Sequence, residues 1–383
     1  MIDIIRQIYF IHKKNYKELA IDHYFNMMLV KLNEHKKVMS KNIGVYMFLR
    51  SIFILFVSII LSFSSQSSFS AEQDYDIKLT FLGTGAPRPS PTRYGPSILL
   101  EAGETKILVD AGPGMRQRIF QAGGFELLTD INTVLITHLH FDHTIELPSL
   151  WLTGWLFGRK TNMKVYGPDG TAAFMDHFER AFDWDLRYRY LTDVHREGSD
   201  LITEDVEPGV FYNQNGVKIT AFDVAHLPLN PETEELLGLE GATFGYRVDY
   251  KGRSVIFSGD TRSLPGSKII EMSKGVDVLI HETQIPYPGE SKEAKLANVS
   301  MIVHSTPAQV AHVFNEARPR LGIYSHIIPP ETTRDELLSM TDYDGRMEVA
   351  EDLMTLMIGD EIKIGKAKNL DNQTFLESDA VDN

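Results

Sequence analysis

Four side chains that commonly bind metal ions follow one short apolar segment. Residues 134–136 are Val-Leu-Ile, and His138, His140, Asp142 and His143 come directly after them. The apolar residues predict a buried strand, and the alternation of the first three polar residues aims them to one side as the strand ends. Burial of imidazoles and a carboxylate is costly without partners, and a pair of metal ions would satisfy all four. The spacing therefore predicts a metal site; surface histidines after a strand are the alternative.

Polar residues also end several other predicted strands. His226, Asp260, Glu282 and His326 each follow an apolar or alternating segment. Helices and strands alternate along the chain, which predicts a layered α/β enzyme with its site along one sheet edge. Asp110 ends an earlier strand beside glycines, where it would either orient a metal-binding histidine or cap a helix.

Composition limits the chemistry available to the chain. Of its 383 residues, 43% are hydrophobic and 23% are charged, which provides a core for one large catalytic domain, expected over residues 72–365. The absence of cysteine excludes disulfides, iron–sulfur clusters, thiolate zinc sites and a cysteine nucleophile. Any metal must therefore be bound by histidine and carboxylate.

The amino-terminal residues have the features of a targeting segment. Residues 1–46 are an uncertain leader of mixed polarity, which lies upstream of the true start if translation begins at Met47. The apolar run over residues 51–63 is short for a membrane span and leads into the serine-rich residues 64–71. We predict a signal peptide over 47–71, a periplasmic or secreted protein, and no stable membrane insertion after its removal. An uncleaved anchor is the alternative.

The remaining chain is acidic. Residues 71–383 contain 29 Lys and Arg against 48 Asp and Glu, a net charge of −19, which repels polyanions on average. Nucleic acid is therefore an unlikely partner, and a small-molecule ester is the expected substrate. The polar, acidic residues 366–383 are expected to be disordered. A homodimer is compatible with the sequence.

One predicted helix carries residues that suit an aromatic substrate. Trp151 and Trp155 are four residues apart and share a face, and Arg159 follows one turn later. They would either pack into the core or provide an apolar wall and a cation beside the metals.

A series of motifs runs through the chain in a fixed order: Gly83-Thr84-Gly85, Asp110-Ala111-Gly112, His138-x-His140-x-Asp142-His143, His226, Asp260 and His326. This order resembles that of the metallo-β-lactamase-fold hydrolases and covers nearly all of residues 76–330. The resemblance implies an α/β fold, a four-layer αββα sandwich with a dinuclear site between two sheets. It also implies one ion on His138, His140 and His226, a second on Asp142, His143 and His326, and Asp260 bridging both. Ligands without thiolate favour zinc and tolerate manganese or iron.

Further motifs narrow the resemblance: Tyr166-Gly167-Pro168, Gly245-Tyr246-Arg247, Ser258-Gly259-Asp260-Thr261-Arg262, His281-Glu282 and His304-Ser305-Thr306. They look most like the branch that contains ribonuclease Z and the bacterial metallo-type arylsulfatases. Ribonuclease Z enzymes commonly insert a long tRNA-gripping arm between the second and third of these motifs, whereas this chain has only a short hairpin at Lys251-Gly252.

The short hairpin, the export signal and the acidic charge favour an exported arylsulfatase-like hydrolase. The alternative is a phosphodiesterase or ribonuclease Z-like endonuclease; a lactonase or a non-catalytic metal-binding protein of the same fold is a further alternative. In the expected mechanism two cations activate water, and Asp142 holds its proton while acting as a ligand. His304, oriented by Glu282, protonates the leaving oxygen; capping of the helix that begins at Pro307 is the other role open to His304.

Overall fold

The computed structural model describes residues 75–192, 195–226, 243–287, 289, 291, 292, 295, 298 and 300–365. The predicted leader, signal peptide and acidic tail lie outside these residues, so they stay predictions. Within the described part of the chain, no helix is both long and apolar enough to cross a bilayer.

The first sheet has eight strands in the order β15-β14-β1-β2-β3-β4-β5-β6. Neighbours from β15 to β3 are antiparallel, and those from β3 to β6 are parallel. The strands are β1 Ile77–Gly83, β2 Ser97–Ala102, β3 Thr105–Val109, β4 Thr133–Leu135, β5 Met163–Gly167, β6 Leu201–Asp205, β14 Thr355–Ile358 and β15 Ile362–Gly365.

The second sheet has seven strands in the order β13-β12-β11-β10-β9-β8-β7. Neighbours from β13 to β10 are parallel and the rest are antiparallel. The turn between β9 and β10 consists of Lys251 and Gly252, both at positive φ as a tight hairpin requires. The predicted short hairpin is therefore present. The strands are β7 Gly209–Gln214, β8 Val217–Asp223, β9 Phe244–Tyr250, β10 Arg253–Phe257, β11 Val278–Gln284, β12 Leu321–Ile328 and β13 Met347–Val349.

Helices lie on the outer faces of the sheets. They are α1 Met115–Asp130, α2 Phe141–Thr144, α3 Leu147–Leu156, α4 Thr171–Ala181, α5 Asp183–Leu191, α6 Lys268–Met272, α7 Pro307–Ala317 and α8 Arg334–Ser339, with a 3₁₀ turn at Ser300–Ile302.

Three apolar clusters hold the layers together. Leu79 of the first sheet and Val248 of the second belong to a cluster between the two sheets. Leu150 belongs to a cluster between the first sheet and its helices, and Phe314 to the equivalent cluster on the second sheet. The parallel strands β11 and β12 are buried along their whole length, and β11 begins with the continuous apolar run Val278–Ile280, as is typical of strands covered on both faces. The layers confirm the predicted four-layer αββα sandwich.

Candidate metal centre

The segment after β4 is a loop and a helical turn rather than the predicted extension of a strand. β4 ends at Leu135, His138 and His140 lie in the loop, and Asp142 and His143 lie in α2. The Thr137 backbone N–H donates to Asp110 Oδ1 over 2.9 Å, and the Thr137 carbonyl accepts from the backbone N–H of Phe244 over 2.8 Å, so the start of the loop is bonded to residues of both sheets. The prediction that strand alternation aims the ligands is wrong, because a helical turn brings the last two into place.

Three histidines and one aspartate form the first group of candidate ligands. His140 Nδ1 lies 2.9 Å from His138 Nε2 and 3.2 Å from His226 Nε2. Asp260 Oδ2 lies 3.8 Å from His138 Nε2 and 3.7 Å from His226 Nε2. One donor atom from each of the four lies within 4.8 Å of the others, so together they could hold one metal ion.

Asp142, His143 and His326 form the second group. Asp142 Oδ2 lies 3.6 Å from His143 Nε2 and 3.5 Å from His326 Nε2. Asp260 Oδ2 is also 3.4 Å from His143 Nε2 and 3.3 Å from His326 Nε2. Asp260 therefore stands between the two groups, which is the position expected for a bridging carboxylate.

The spacing of the donor atoms and the absence of hydrogen-bond partners for several of them both suit a pair of divalent cations. Two donors about 2.0–2.1 Å from one tetrahedral zinc are roughly 3.3 Å apart, close to most of the separations above. Asp142 Oδ2, His143 Nε2, Asp260 Oδ1 and His326 Nε2 are buried without hydrogen-bond partners. Leaving such atoms unsatisfied costs about 1–3 kcal/mol each, and metal coordination would satisfy them.

The electrostatics also suit cations. Burial lowers the pKa of His138, and it lowers the pKa of His226 to about 4, so both imidazoles keep a lone pair at neutral pH. At His143 burial acts in the same direction, but Asp260, Asp110 and Asp142 outweigh it and raise the pKa well above its ordinary value. Carboxylates that stabilise a proton on this ring would also stabilise a metal ion beside it.

Outer contacts orient three of the imidazoles. Asp110 Oδ2 lies 2.9 Å from His143 Nδ1, Thr137 Oγ1 lies 3.1 Å from His138 Nδ1, and the Val303 carbonyl lies 3.0 Å from His226 Nδ1. Asp110 thus has the orienting position, and the helix-cap alternative is wrong because α1 is capped at Gly114 without a side-chain bond. The sequence does not point to the Val303 carbonyl, since a backbone acceptor leaves no signal in it, whereas Thr137 could have been found as a hydroxyl directly before His138.

His326 lies within β12 rather than after its end. Its φ is 49°, and the pairing of β11 with β12 shifts register between His281 and Thr283. This irregularity is a bulge, and a bulge turns one side chain away from the regular alternation. The ring can therefore reach Asp142 and Asp260 while the strand continues.

His304 and Glu282 form a pair beside the ligands. His304 Nδ1 lies 3.3 Å from Glu282 Oε2 and 3.9 Å from Asp260 Oδ2, and Glu282 Oε1 accepts hydrogen bonds from the backbone N–H groups of Ser305 and Thr261. Burial lowers the pKa of His304, but the two carboxylates outweigh it and raise the pKa to about 9.

The helix-capping alternative for His304 is wrong. Thr306 caps α7, because its hydroxyl accepts from the backbone N–H of Gln309 and completes a capping box. His304 is close enough to Asp260 and His326 to form a third set of candidate ligands. Proton donation and metal binding are therefore the two roles that the geometry allows.

Trp151, Trp155 and Arg159 do not line a substrate site in this structure. Their exposed fractions are 1%, 0% and 1%, and the indole N–H groups donate to the carbonyls of Ser199 and His195. The Arg159 guanidinium donates to the Trp151 carbonyl over 2.7 Å. The prediction of an aromatic wall is wrong because this face of α3 packs into the helix-side core.

The exposed apolar side chains next to the ligands are different residues. Phe141, between His140 and Asp142, is 59% exposed, and Ile145, one turn later, is 48% exposed. His140 is itself an exposed ligand, whereas the other six candidate ligands are buried. The solvent-open side of the centre is therefore the side of His140 and Phe141.

Comparisons with known proteins agree with this geometry. Residues 105–327 match the family model described as beta-lactamase superfamily domain. Ribonuclease Z from Mycobacterium bovis (strain BCG / Pasteur 1173P2) is 30% identical over 297 residues, covering 72% of this chain and 96% of that protein.

Two solved structures are similar in fold. The metallo-beta-lactamase fold protein YhfI from Bacillus subtilis has a TM-score of 0.53 and 17% identity, covering 73% of this chain and 98% of that one. The short form of human tRNase Z has a TM-score of 0.51 and 23% identity, covering 73% and 99%. With the family match, these findings show that the chain belongs to the beta-lactamase superfamily and is a metal-dependent hydrolase with the metallo-β-lactamase fold.

Proposed function

We propose that this hydrolase cleaves phosphodiester bonds with two divalent metal ions, preferably zinc. The observation that carries the proposal is the position of Asp260 between two groups of donor atoms. One ion would be held by His138, His140 and His226 and the other by Asp142, His143 and His326, with Asp260 shared. Histidine and carboxylate donors without thiolate suit zinc. When bound, two such ions activate water and stabilise negative charge on phosphoryl oxygens.

The chain's own residues would manage the protons. Hydrolysis forms a bond between the water oxygen and phosphorus and breaks the bond between phosphorus and the leaving oxygen. Asp142, while acting as a metal ligand through one oxygen, would take up through the other the proton that the attacking water loses. His304 would give its proton to the leaving oxygen, and Glu282, 3.3 Å away, would keep the ring protonated and oriented.

Phosphate is a better-supported target than sulfate. The relatives at 30% identity are named ribonuclease Z, which favours the alternative over the arylsulfatase-like prediction. That name also counts against the expectation that nucleic acid is an unlikely partner. The short hairpin at Lys251 and Gly252 and the acidic chain favour nucleotide esters and short strands over long folded RNA.

A substrate panel tests the proposal. The metal-free protein would be loaded with zinc or manganese and given bis(4-nitrophenyl) phosphate, 4-nitrophenyl sulfate, a γ-lactone and a 3′-extended tRNA. We expect the highest kcat/KM on the small phosphodiester, and its loss in Asp260→Asn. A higher kcat/KM on sulfate or lactone would contradict the proposal. Metal binding without turnover of any substrate would support a non-catalytic protein.

A further inference from the structure

Arg262 lies beside the first group of candidate ligands but belongs to neither group. It follows Asp260 by two residues, and its backbone N–H donates to the Ala225 carbonyl, next to His226, over 2.6 Å. Its guanidinium Nη1 donates to the Ile302 carbonyl over 3.3 Å. The next carbonyl, that of Val303, lies 3.0 Å from His226 Nδ1. The guanidinium therefore sits beside the segment that orients His226.

The donors of Arg262 are largely unused. Nε is buried without a hydrogen-bond partner, and among the described residues no carboxylate lies within 4 Å of this side chain. By contrast, Arg253 at the start of β10 is paired with Asp76, and Arg334 at the start of α8 is paired with Glu348. Because Nη1 makes one bond to a carbonyl and no carboxylate of the described residues neutralises this half-buried guanidinium, an anionic ligand that supplies acceptor oxygens to the two Nη groups would be stabilised there.

The chemistry of that ligand follows from the guanidinium. Arginine presents a planar fork of donors that matches two oxygens of a phosphate, and it stays charged at every working pH. The two metal ions would bind the scissile phosphate. A cation beside the metal ions therefore suits a second anionic group on the same substrate.

We propose that Arg262 binds a phosphate group adjacent to the scissile phosphodiester, which makes the preferred substrate a nucleotide chain with at least two phosphates. This inference rests on the proposed phosphodiesterase function and names its substrate class. Arg262 is a substrate-binding residue in this account and takes no part in proton transfer.

Three dinucleotides test it with the zinc-loaded enzyme: UpU and its 5′-phosphorylated and 3′-phosphorylated forms. We expect the wild type to prefer at least one phosphorylated form over UpU, mainly through a lower KM. In Arg262→Met that preference should fall by about tenfold, the size expected for one charge-assisted contact. Arg262→Lys should restore part of it. The matched control is Arg334→Met, which removes an exposed, ion-paired arginine and should keep the preference.

Two kinetic outcomes would overturn the proposal. One is a wild type with no preference for either phosphorylated form; the other is an equal loss on all three dinucleotides in Arg262→Met, as expected if the arginine only supports the fold or contacts the scissile phosphate. A binding measurement distinguishes failure of the Arg262 proposal from failure of the proposed phosphodiesterase function. Even without turnover, calorimetry should show uridine 3′,5′-bisphosphate binding more tightly than uridine 5′-monophosphate, with the difference lost in Arg262→Met, whereas equal affinities would refute the second-phosphate site.

Discussion

Asp110 Oδ2 lies 2.9 Å from His143 Nδ1, and His143 Nε2 lies 3.4 Å from Asp260 Oδ2. The imidazole thus uses one nitrogen to contact an orienting carboxylate and turns the other toward the ligand group. Asp110 has φ of 60°, an uncommon value for a residue other than glycine, and it also accepts from the Thr137 backbone. The contact links the end of β3 to the segment that carries four of the candidate ligands.

Asp110→Asn tests this link. The amide cannot supply the negative charge that helps raise the pKa of His143, so the ring becomes a weaker ligand. Removal of such an outer contact typically costs 10–100-fold in metal affinity, and we expect that loss for one of the two ions. Competition with a chromophoric chelator measures both affinities. Unchanged affinities for both ions would show that Asp110 only holds the loop through its bond to Thr137 and does not affect metal binding.

Asp260→Asn should reduce the affinity for both ions, because one carboxylate stands between the two groups of ligands. Elemental analysis of the purified protein would show the loss. The matched control is Asp352→Asn, another buried aspartate, which bonds Thr84, Tyr94 and Arg118. That change should lower the free energy of unfolding by about 1–3 kcal/mol and keep the metal content. Loss of only one ion in Asp260→Asn would show that Asp260 does not bridge the two ions.

His304→Ala separates proton donation from metal binding. We expect an intact metal content and a rate about a hundredfold lower or more on alkyl esters, whose leaving oxygen needs a proton, with a smaller loss on nitrophenyl esters. Loss of one metal equivalent would instead identify His304 as a ligand.

The pH profile gives the same test in the wild type. The pKa of His304 is raised to about 9 although burial opposes it, so the ring is protonated at neutral pH. The acid is present below this pKa, and the rate on alkyl esters should fall as pH rises through it. Bound cations would move the alkaline limb to a lower pH because they repel the proton. A limb that persists in His304→Ala would assign it to another group.

Phe141→Ala should raise the KM for aryl phosphodiesters more than for alkyl ones. Phe141 is 59% exposed on the open side of the centre, and loss of one aromatic contact of roughly 1 kcal/mol corresponds to about fivefold. Trp155→Ala is the control. It should destabilise the fold by about 3–5 kcal/mol and leave the KM ratio unchanged, because this indole is buried in the core. A raised KM ratio in Trp155→Ala together with an unchanged ratio in Phe141→Ala would instead support substrate binding by the tryptophans.

We also propose that the protein is exported, on the basis of the apolar run over residues 51–63 and the serine-rich residues that follow. Amino-terminal sequencing of protein from the periplasm or medium should begin near Ala71 or Glu72. An intact segment in cytoplasmic protein would contradict export.

The candidate ligands could be named from the sequence because their residue types and their order resemble those of the metallo-β-lactamase-fold hydrolases. His138, His140, Asp142 and His143 are so closely spaced that any compact fold keeps them together. Runs of apolar residues that each end in a polar one predict a layered α/β enzyme, whereas the arrangement in two sheets is implied by the resemblance to the metallo-β-lactamase-fold hydrolases.

Other parts of the site depend on packing between distant segments. Whether Trp151 faces the core or a substrate is not fixed by helical spacing, since both faces give the same i, i+4 pattern. The bulge at His326 and the carbonyl of Val303 are backbone features that residue types do not encode. Likewise, the hydrogen bonding of the Arg262 guanidinium, with one bond to the Ile302 carbonyl and none at Nε, depends on how the fold places these two distant segments.

The most direct test of the proposed two-metal phosphodiesterase is a metal titration of the metal-free protein, with hydrolysis of bis(4-nitrophenyl) phosphate as the readout. We expect the rate to rise with added zinc until two equivalents are bound, and Asp260→Asn not to reach this rate. Full activity at one equivalent, or a rate that does not depend on metal, would contradict a two-metal phosphodiesterase.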